Sequence, residues 1–528
     1  MLQDFGCSEM KTRFRSVLKQ FLGIGLLSAA LMGGSSVGVR AAPEGQIVIA
    51  LTSLDQKFDP TAMASYSSHM NYDYIFDGLL NLGEKGKYPA LAESWVISDD
   101  GLTIDFKLRE NVTFHDGSPF TAEDVKFTFE KILEPDSGNS YRAGFVKSLD
   151  HVEVVDAHTA RFVLKQPWPG FFTTARYGLT PIVSKAYYEK VGAKGFQEKP
   201  IGTGPFVLGE VVAGKSTTFT AYENYWDGAP KIQSATQVLV KEDFTRYAML
   251  QRGEADIISG LTGPLLDKIK TNSDFKVISA QYVGTSGILF NKSTFPAAED
   301  KRVRMAVGYA INTKDIAEKI QGGICEPATS MFTPATFGYI DGLPRIPYDP
   351  EKAKALLKEA GVKPGTKITF TIQTSSFAAM PNTPQVLEVV AGNLEAVGFQ
   401  VERRSVDTSA WLAMMRGGKP TDVFYSPISN PDDGGEVMNS YFVSWSGWTA
   451  KSIQQPKYDE LFNEQLKASD PEKRLKILQD FAKLEVENRE DIPLLWCNAP
   501  FAINKRIKSW TPSLGGGYPT DIYKLELN

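Results

Sequence analysis

The residues able to do covalent or acid–base chemistry do not fall into a catalytic spacing. Gly34-Ser35-Ser36-Val37-Gly38 has the form of a nucleophile turn, but it sits in an apolar N-terminal stretch with no domain around it. Ser273 and Lys276 stand three apart, which brings Ser and Lys together only on a helix; Val277-Ile278-Ser279 follows with a strand pattern. Gly202-Thr203-Gly204 lacks the third glycine of a dinucleotide turn. All 4 histidines precede residue 159, and His151 and His158 flank a hairpin turn at Asp156-Ala157, where solvated turn histidines are expected rather than a metal site. The 3 cysteines, Cys7, Cys325 and Cys497, exclude a disulfide framework and a zinc ribbon. Cys325 and Cys497, far apart in the chain, are expected to be free or buried thiols rather than a disulfide. No catalytic residue, metal ligand or cofactor site is predicted.

Composition narrows the function classes further. The 528-residue chain is 42% hydrophobic and 23% charged, which is globular, and its net charge of -5 with no basic run excludes a nucleic-acid surface. Lys11, Arg13, Arg15 and Lys19 precede the apolar segment Phe21 to Met32, too short to span a bilayer, and Val39-Arg40-Ala41 supplies small residues for cleavage. Residues 1–41 therefore read as a secretory signal, with Met10 a plausible start. The mature chain is expected to be periplasmic and not inserted in the membrane.

The elements that must position any site alternate between strand and helix. Ile47 to Leu51 is a buried-strand run. Thr121 and Asp124 form a capping-box pair ahead of Val125, Phe129 and Ile132; Asp349-Pro350 and Asp470-Pro471 are further helix starts, and Gly361 is a helix stop. Residues 367–424 read strand–helix–strand–helix–strand, which predicts a partly parallel sheet. Ligands of such sheets sit beyond the C-terminal strand ends, which points to loops 373–384 and 426–436.

Phe106 to Val125, containing Val112-Thr113-Phe114-His115-Asp116-Gly117, resembles the signature of family 5 extracellular solute-binding proteins, the peptide, nickel and opine receptors of ABC importers. Further matching blocks follow in the family's order: Pro200 to Phe206, Asn224 to Pro230, Gly253 to Ile257, Asp300 to Val307 with Ala310-Ile311-Asn312, and Tyr348-Asp349-Pro350. Their residues read as structural, with Gly202 and Gly204 suited to positive-φ turns. The resemblance implies an α/β, two-lobe hinge fold of the periplasmic-binding-protein type with an extra domain inserted in lobe I. Lobe I would comprise 42–88, 200–285 and 495–528, the insert 89–199, and lobe II 286–494. It also implies a small-molecule or peptide ligand, permease subunits of an ABC importer as partners, and a monomer.

The binding loops depart from the family's peptide pattern. Where a carboxylate usually holds the ligand's amino group, this chain has Tyr425-Ser426-Pro427-Ile428-Ser429-Asn430-Pro431-Asp432-Asp433. Asn430 replaces the acid before proline, and Asp432 or Asp433 is the substitute; a solvated turn is the competing reading. Trp411, Tyr425, Tyr441, Trp445 and Trp448 are candidate walls, against core packing. Tyr66-Ser67-Ser68-His69, after the first strand, is the loop that meets the ligand backbone in the family. Arg142 is read as a surface residue, with a ligand carboxylate as its other use. Short peptides lead, ahead of opine-like, sugar-conjugate or chelate ligands. A secreted hydrolase is the rival from another class.

Overall fold

The computed structural model describes residues 45–528 apart from 63–68, 84–85, 140–141, 169–170, 172–180, 262, 377–379, 417, 430–431, 445, 447–451, 469 and 513–517. The expected signal segment lies outside the described residues. Strand β1 (Gln46–Leu51) is followed by a hairpin of β2 (Leu80–Gly83) and β3 (Gly86–Pro89). Next, β4 (Ala92–Ile97), β5 (Thr103–Leu108), β6 (Leu149–Asp156) and β7 (Thr159–Leu164) form a separate 4-stranded sheet in the order β4-β5-β7-β6.

The remaining main strands build one 11-stranded sheet: β8 (Phe206–Val212), β9 (Ser216–Ala221), β10 (Ser234–Leu239), β11 (Ile257–Ile258), β12 (Phe275–Phe290), β13 (Cys325–Pro327), β14 (Lys367–Gln373), β15 (Gln400–Val406), β16 (Val423–Ser429) and β17 (Ile492–Asn504), with β1 among them. Its order is β15-β14-β16-β12-β17-β11-β1-β10-β9-β8, with β13 paired to β17 off that path. In the first half β1 runs parallel to β10 and β11; in the second, β14 runs parallel to β15 and β16, as the alternating pattern of 367–424 predicts.

The two long strands β12 and β17 cross between the halves. Their antiparallel ladder runs from Phe275↔Asn504 to Ala280↔Ala499, breaks, and resumes at Gly284↔Cys497 up to Ile288↔Ile492. Cys497 also faces Cys325 of β13, and the two form a disulfide. This corrects the expectation of free thiols. Sequence separation says nothing about pairing once β13 is laid beside the crossing strand, and its register puts the two residues directly opposite.

Local signals explain the helices. Asp349 accepts the Lys352 N–H at 2.9 Å with Pro350 in the first turn, and Asp470 accepts the Lys473 N–H at 2.7 Å ahead of helix Pro471–Asn488. In the small sheet's domain Thr121 N–H donates to Asp124 Oδ2 at 2.9 Å, closing the expected capping pair. That helix, Ala122–Leu133, buries Val125, Phe129 and Ile132 against Phe106, Phe145 and Phe162. Arg142 Nε donates to the carbonyls of Leu133 and Glu134 at 3.1 and 2.6 Å, so it satisfies the helix's C-terminal end.

The signature blocks hold the small sheet's domain to the first half. Gly202 and Gly204 are not in positive-φ conformations, contrary to expectation. They are needed for close approach: a Cβ on Gly202 would stand 2.0 Å from the Ile75 carbonyl oxygen, and one on Gly204 2.5 Å from Ile75 C. His115 clamps the same segment. Its Nε2 lies 3.0 Å from Gly204 O and its Nδ1 accepts the Gly202 N–H at 3.3 Å, and burial pushes its pKa down to about 4, so the ring is neutral. Buried Asp77 accepts from Thr203, Tyr225 and Trp226 at 2.9, 2.9 and 2.8 Å; burial nevertheless pushes its carboxyl up to about 6. In the Asp300 to Val307 block, buried Arg304 donates to the Arg489 and Ala298 carbonyls and to Glu490.

Candidate ligand-binding cleft

Both parallel strand sets aim their C-terminal ends at the crossing. β11 pairs antiparallel with β17 through Ile258↔Ala502, so β1 and its parallel neighbours run toward Cys497. β16 ends with Ser429 opposite Gly284, on the other side of the same break. Backbone amides and turn side chains therefore collect from two directions at one place, the switch point where open α/β sheets take ligands.

On the first half's side, Ser53, Leu54, Asp55, Gln56 and Lys57 after β1 line a cavity of about 320 Å³. The loop is tied down from both flanks. Gln56 Nε2 donates to the Val212 and Ser216 carbonyls, each at 3.0 Å, and Gln56 Oε1 accepts the Gly214 N–H at 2.8 Å. Gln197 Oε1 accepts the Phe58 N–H at 2.8 Å, and Asn71 Nδ2 donates to the Asp55 carbonyl. Tyr66, Ser67 and Ser68 lie outside the described residues, and His69 opens the helix His69–Ile75.

On the second half's side, the predicted residues separate into supports and rim. Asp433 is buried: Arg474 grips it with two nitrogens at 2.7 and 2.8 Å, and its Oδ1 also accepts the Gly435 and Glu436 N–H groups at 2.8 and 3.3 Å. Its carboxylate is therefore occupied by a buried ion pair and a helix cap. Gly434 and Gly435 exist for space rather than turn freedom. A Cβ would come within 2.6 Å of Phe332 at the first and of Arg474 at the second. Asp432 is partly exposed, and its carbonyl accepts the Phe337 N–H at 2.7 Å. Asn430, Trp445 and Trp448 lie outside the described residues.

The described aromatics pack inward. Trp411 and Tyr441 belong to the apolar cluster around Phe332, Phe442 and Phe481, and Tyr425 to the one around Ile288, Phe370 and Val423. The Tyr441 hydroxyl donates to the Pro427 carbonyl, fixing the end of β16. Burial raises the pKa of both Tyr425 and Tyr441 above the ordinary phenol value. At the end of β14, buried Gln373 has neither carboxamide atom hydrogen-bonded among the described residues, and the same holds for the Thr285 hydroxyl on β12. Among the described residues no group of His, Cys, Asp or Glu could hold a metal, and no helix is long and apolar enough to cross a membrane.

Residues 87–449 match the model of the bacterial extracellular solute-binding proteins, family 5 Middle. The chain belongs to that family. It is 29% identical over 448 residues to heme-binding protein A of Haemophilus influenzae, covering 80% of this chain and 82% of that one. It is also 29% identical over 425 residues to di/tripeptide-binding protein 2 of Pseudomonas aeruginosa, covering 76% and 79%. Among solved structures, HbpA2 from Haemophilus parasuis superposes with a TM-score of 0.80 at 25% identity, covering 92% of this chain and all of that one. The fold is accordingly the two-lobe α/β fold of periplasmic binding proteins.

In this solute-binding protein β12 and β17 lie between the two parallel strand sets of the large sheet. Sequence reading pointed to the 373–384 loop that Gln373 opens, but missed Arg474 and the pair Tyr282 and Asn498, whose backbone N–H and Oδ1 meet at 2.8 Å. Arg474 carried one usable signal, a charge one helical turn before Leu478 on the face that Phe481 and Ala482 continue, a face that had to be buried. The others carried none, because their surroundings come from distant strands.

Proposed function

We propose that the mature chain is a periplasmic receptor that captures a small solute between its lobes and delivers it to the permease subunits of an ABC importer. Short peptides are the leading ligand class, and lobe closure is the delivery signal. The observation that carries this reading is the convergence of both lobes' strand ends on one two-stranded crossing. Residues 1–41 direct export, lobe I is 42–88, 200–285 and 495–528, the insert is 89–199, and lobe II is 286–494. Ligand contacts fall on Tyr66, Ser67, Ser68, His69, Asn430, Asp432, Trp445 and Trp448, with Trp411, Tyr425 and Asp433 behind them as supports. The named relatives, one a heme-binding and one a di/tripeptide-binding protein, support a receptor for a small solute.

Asp433 is held by Arg474, so the contact to a ligand ammonium is assigned to Asp432, the other acid of this loop, at a partly exposed position. A buried ammonium without a counter-charge costs several kcal/mol, so unmodified di- and tripeptides should bind more weakly than in receptors that keep the family's carboxylate. The test uses purified 42–528 in thermal shift and scattering with di- and tripeptides, their N-acetylated counterparts, opines and chelates. A binding peptide should compact the chain and raise stability by about 2.7 kcal/mol at 100 times Kd. Asp432→Asn should then erase the difference between free and acetylated peptides. Melting shifts with opines or chelates but no peptide would transfer the assignment to those ligands. Binding without compaction would refute closure.

A further inference from the structure

We propose that the Cys325–Cys497 disulfide and the Asn498–Tyr282 hydrogen bond are positioning devices that confine the bend of lobe closure to residues 281–283 and 498. This rests on the two-lobe receptor reading and names the residues that set its motion. The β12–β17 ladder is interrupted by three residues against one between Ala280 and Gly284, and by a single extra residue, Leu494, between Ser286 and Gly287, where the Leu494 carbonyl accepts the Ala328 N–H just beyond β13. Between Ala280↔Ala499 and Gly284↔Cys497, β12 has Gln281, Tyr282 and Val283 where β17 has only Asn498. Such a bulge removes ladder bonds and lets strands swivel.

The gap is held by specific substitutes. Tyr282 adopts a φ of 51°, the left-handed region, which is unfavourable for a tyrosine and persists only where its surroundings enforce it. Asn498 Oδ1 enforces it by accepting the Tyr282 N–H at 2.8 Å. The Asn498 backbone N–H turns the other way and donates to the Ile324 carbonyl at 3.1 Å. At this residue β17 therefore passes from β12 to the segment leading into β13. One residue on, the disulfide fastens Cys497 to Cys325, and Glu326↔Trp496 and Pro327↔Leu495 extend that edge. Above the gap β17 is thus clamped along both edges; below it β12 and β11 clamp it again.

The rings of Tyr282 and Tyr339 meet Trp496 edge-on, with centroids 6.4 and 5.8 Å away. Away from the two crossing strands, the backbone also passes close at Gly263 and Gly322. A Cβ on Gly322 would stand 2.2 Å from the Gly263 Cα, so the backbones touch. With the upper strand clamped, the swivel is left to the gap.

The test compares the full mature chain with Cys325→Ser/Cys497→Ser, Asn498→Ala and Asn498→Asp. Glu223 in lobe I and Lys358 in lobe II, both exposed, are replaced by azide-bearing residues for dye attachment, and the interlobe distance distribution is recorded without ligand. Amide exchange is followed at 281–283 and 495–497, well below each variant's melting temperature. The serine pair should widen the distance distribution and speed exchange at 495–497 about tenfold, because the bend spreads upward. Asn498→Ala should speed exchange at 281–283, and Asn498→Asp, which keeps the acceptor, should restore it. Unchanged distributions and exchange in the serine pair, in a chain whose wild type does sample two interlobe distances, would overturn the proposal. A wild type with one fixed distance under every solute would instead overturn the receptor reading beneath it.

Discussion

Asp433 and the Glu485–Asp491 pair are all buried, but only Asp433 meets a counter-charge in hydrogen-bond contact. Around Asp433, Arg474 supplies two charge-assisted bonds, Gln465 Oε1 accepts from Arg474 Nε at 2.9 Å, and two backbone N–H groups complete the site. Arg474 is held charged: burial opposes its charge, but Asp433 outweighs that and raises its pKa. In the second corner Glu485 Oε1 accepts the Met331 N–H at 2.8 Å, while Glu485 Oε2 and both Asp491 oxygens have no hydrogen-bond partner among the described residues. Burial pushes Asp491 up to about 7 and Glu485 well above the ordinary carboxylate value. Arg489 opposes the shift at both, Arg304 opposes it at Asp491, and Glu490 adds to it there. Equal burial therefore gives a permanent ion pair in one place and a proton-holding pair in the other, and hydrogen-bond supply decides which.

Breaking the first corner should have the largest effect. Arg474→Ala leaves Asp433 buried and unpaired, with an expected loss of about 3 to 5 kcal/mol in denaturant unfolding. If the loss stays below about 1 kcal/mol, Asp433 is exchanging its partner for solvent and returns as a ligand acid. Close packing gives the next effect. Gly202→Ala drives a methyl into the Ile75 carbonyl, for an expected cost of about 3 kcal/mol and a lower melting temperature. A neutral result would mean that the packing of this segment against the Ile75 backbone gives way easily.

The second corner is sharpened by pH. The folded pKa values of Glu485 and Asp491 both lie above their unfolded values, so at Asp491 the folded state binds more protons between about pH 4 and 7, and Glu485 acts in the same direction. Their contribution to stability is complete below the unfolded value and is lost as pH rises through the folded one. Asp491→Asn, which keeps the shape without the charge, should be nearly neutral at pH 4 and stabilising at pH 8. Melting curves at both values check this, and an equal shift at both would show that Asp491 is charged throughout. Tyr458→Phe should change least. The buried Tyr458 hydroxyl faces Asn488 without a bond of normal geometry, so its removal should cost less than about 1 kcal/mol, whereas a well-made hydrogen bond would cost more.

Much of the architecture follows from local chemistry. The Asp349-Pro350 and Asp470-Pro471 starts, the Thr121–Asp124 cap and the alternation of 367–424 depend on residues a few positions apart, and the helices and parallel strands form where those signals stand. The family blocks were legible for the same reason, being contiguous. Tertiary structure decided what depends on distant chain segments. Gly202 and Gly204 suited a turn by composition, but the Ile75 backbone lying against them is the constraint. Asp433 had the chemistry of a ligand acid until a helix beginning at Pro471 delivered Arg474 to it. Cys325 and Cys497 became a disulfide because β13 lies in register beside the crossing strand. Hydrogen bonds and steric contacts act over a few ångströms of space, so only the assembled sheet determines which distant residues they join.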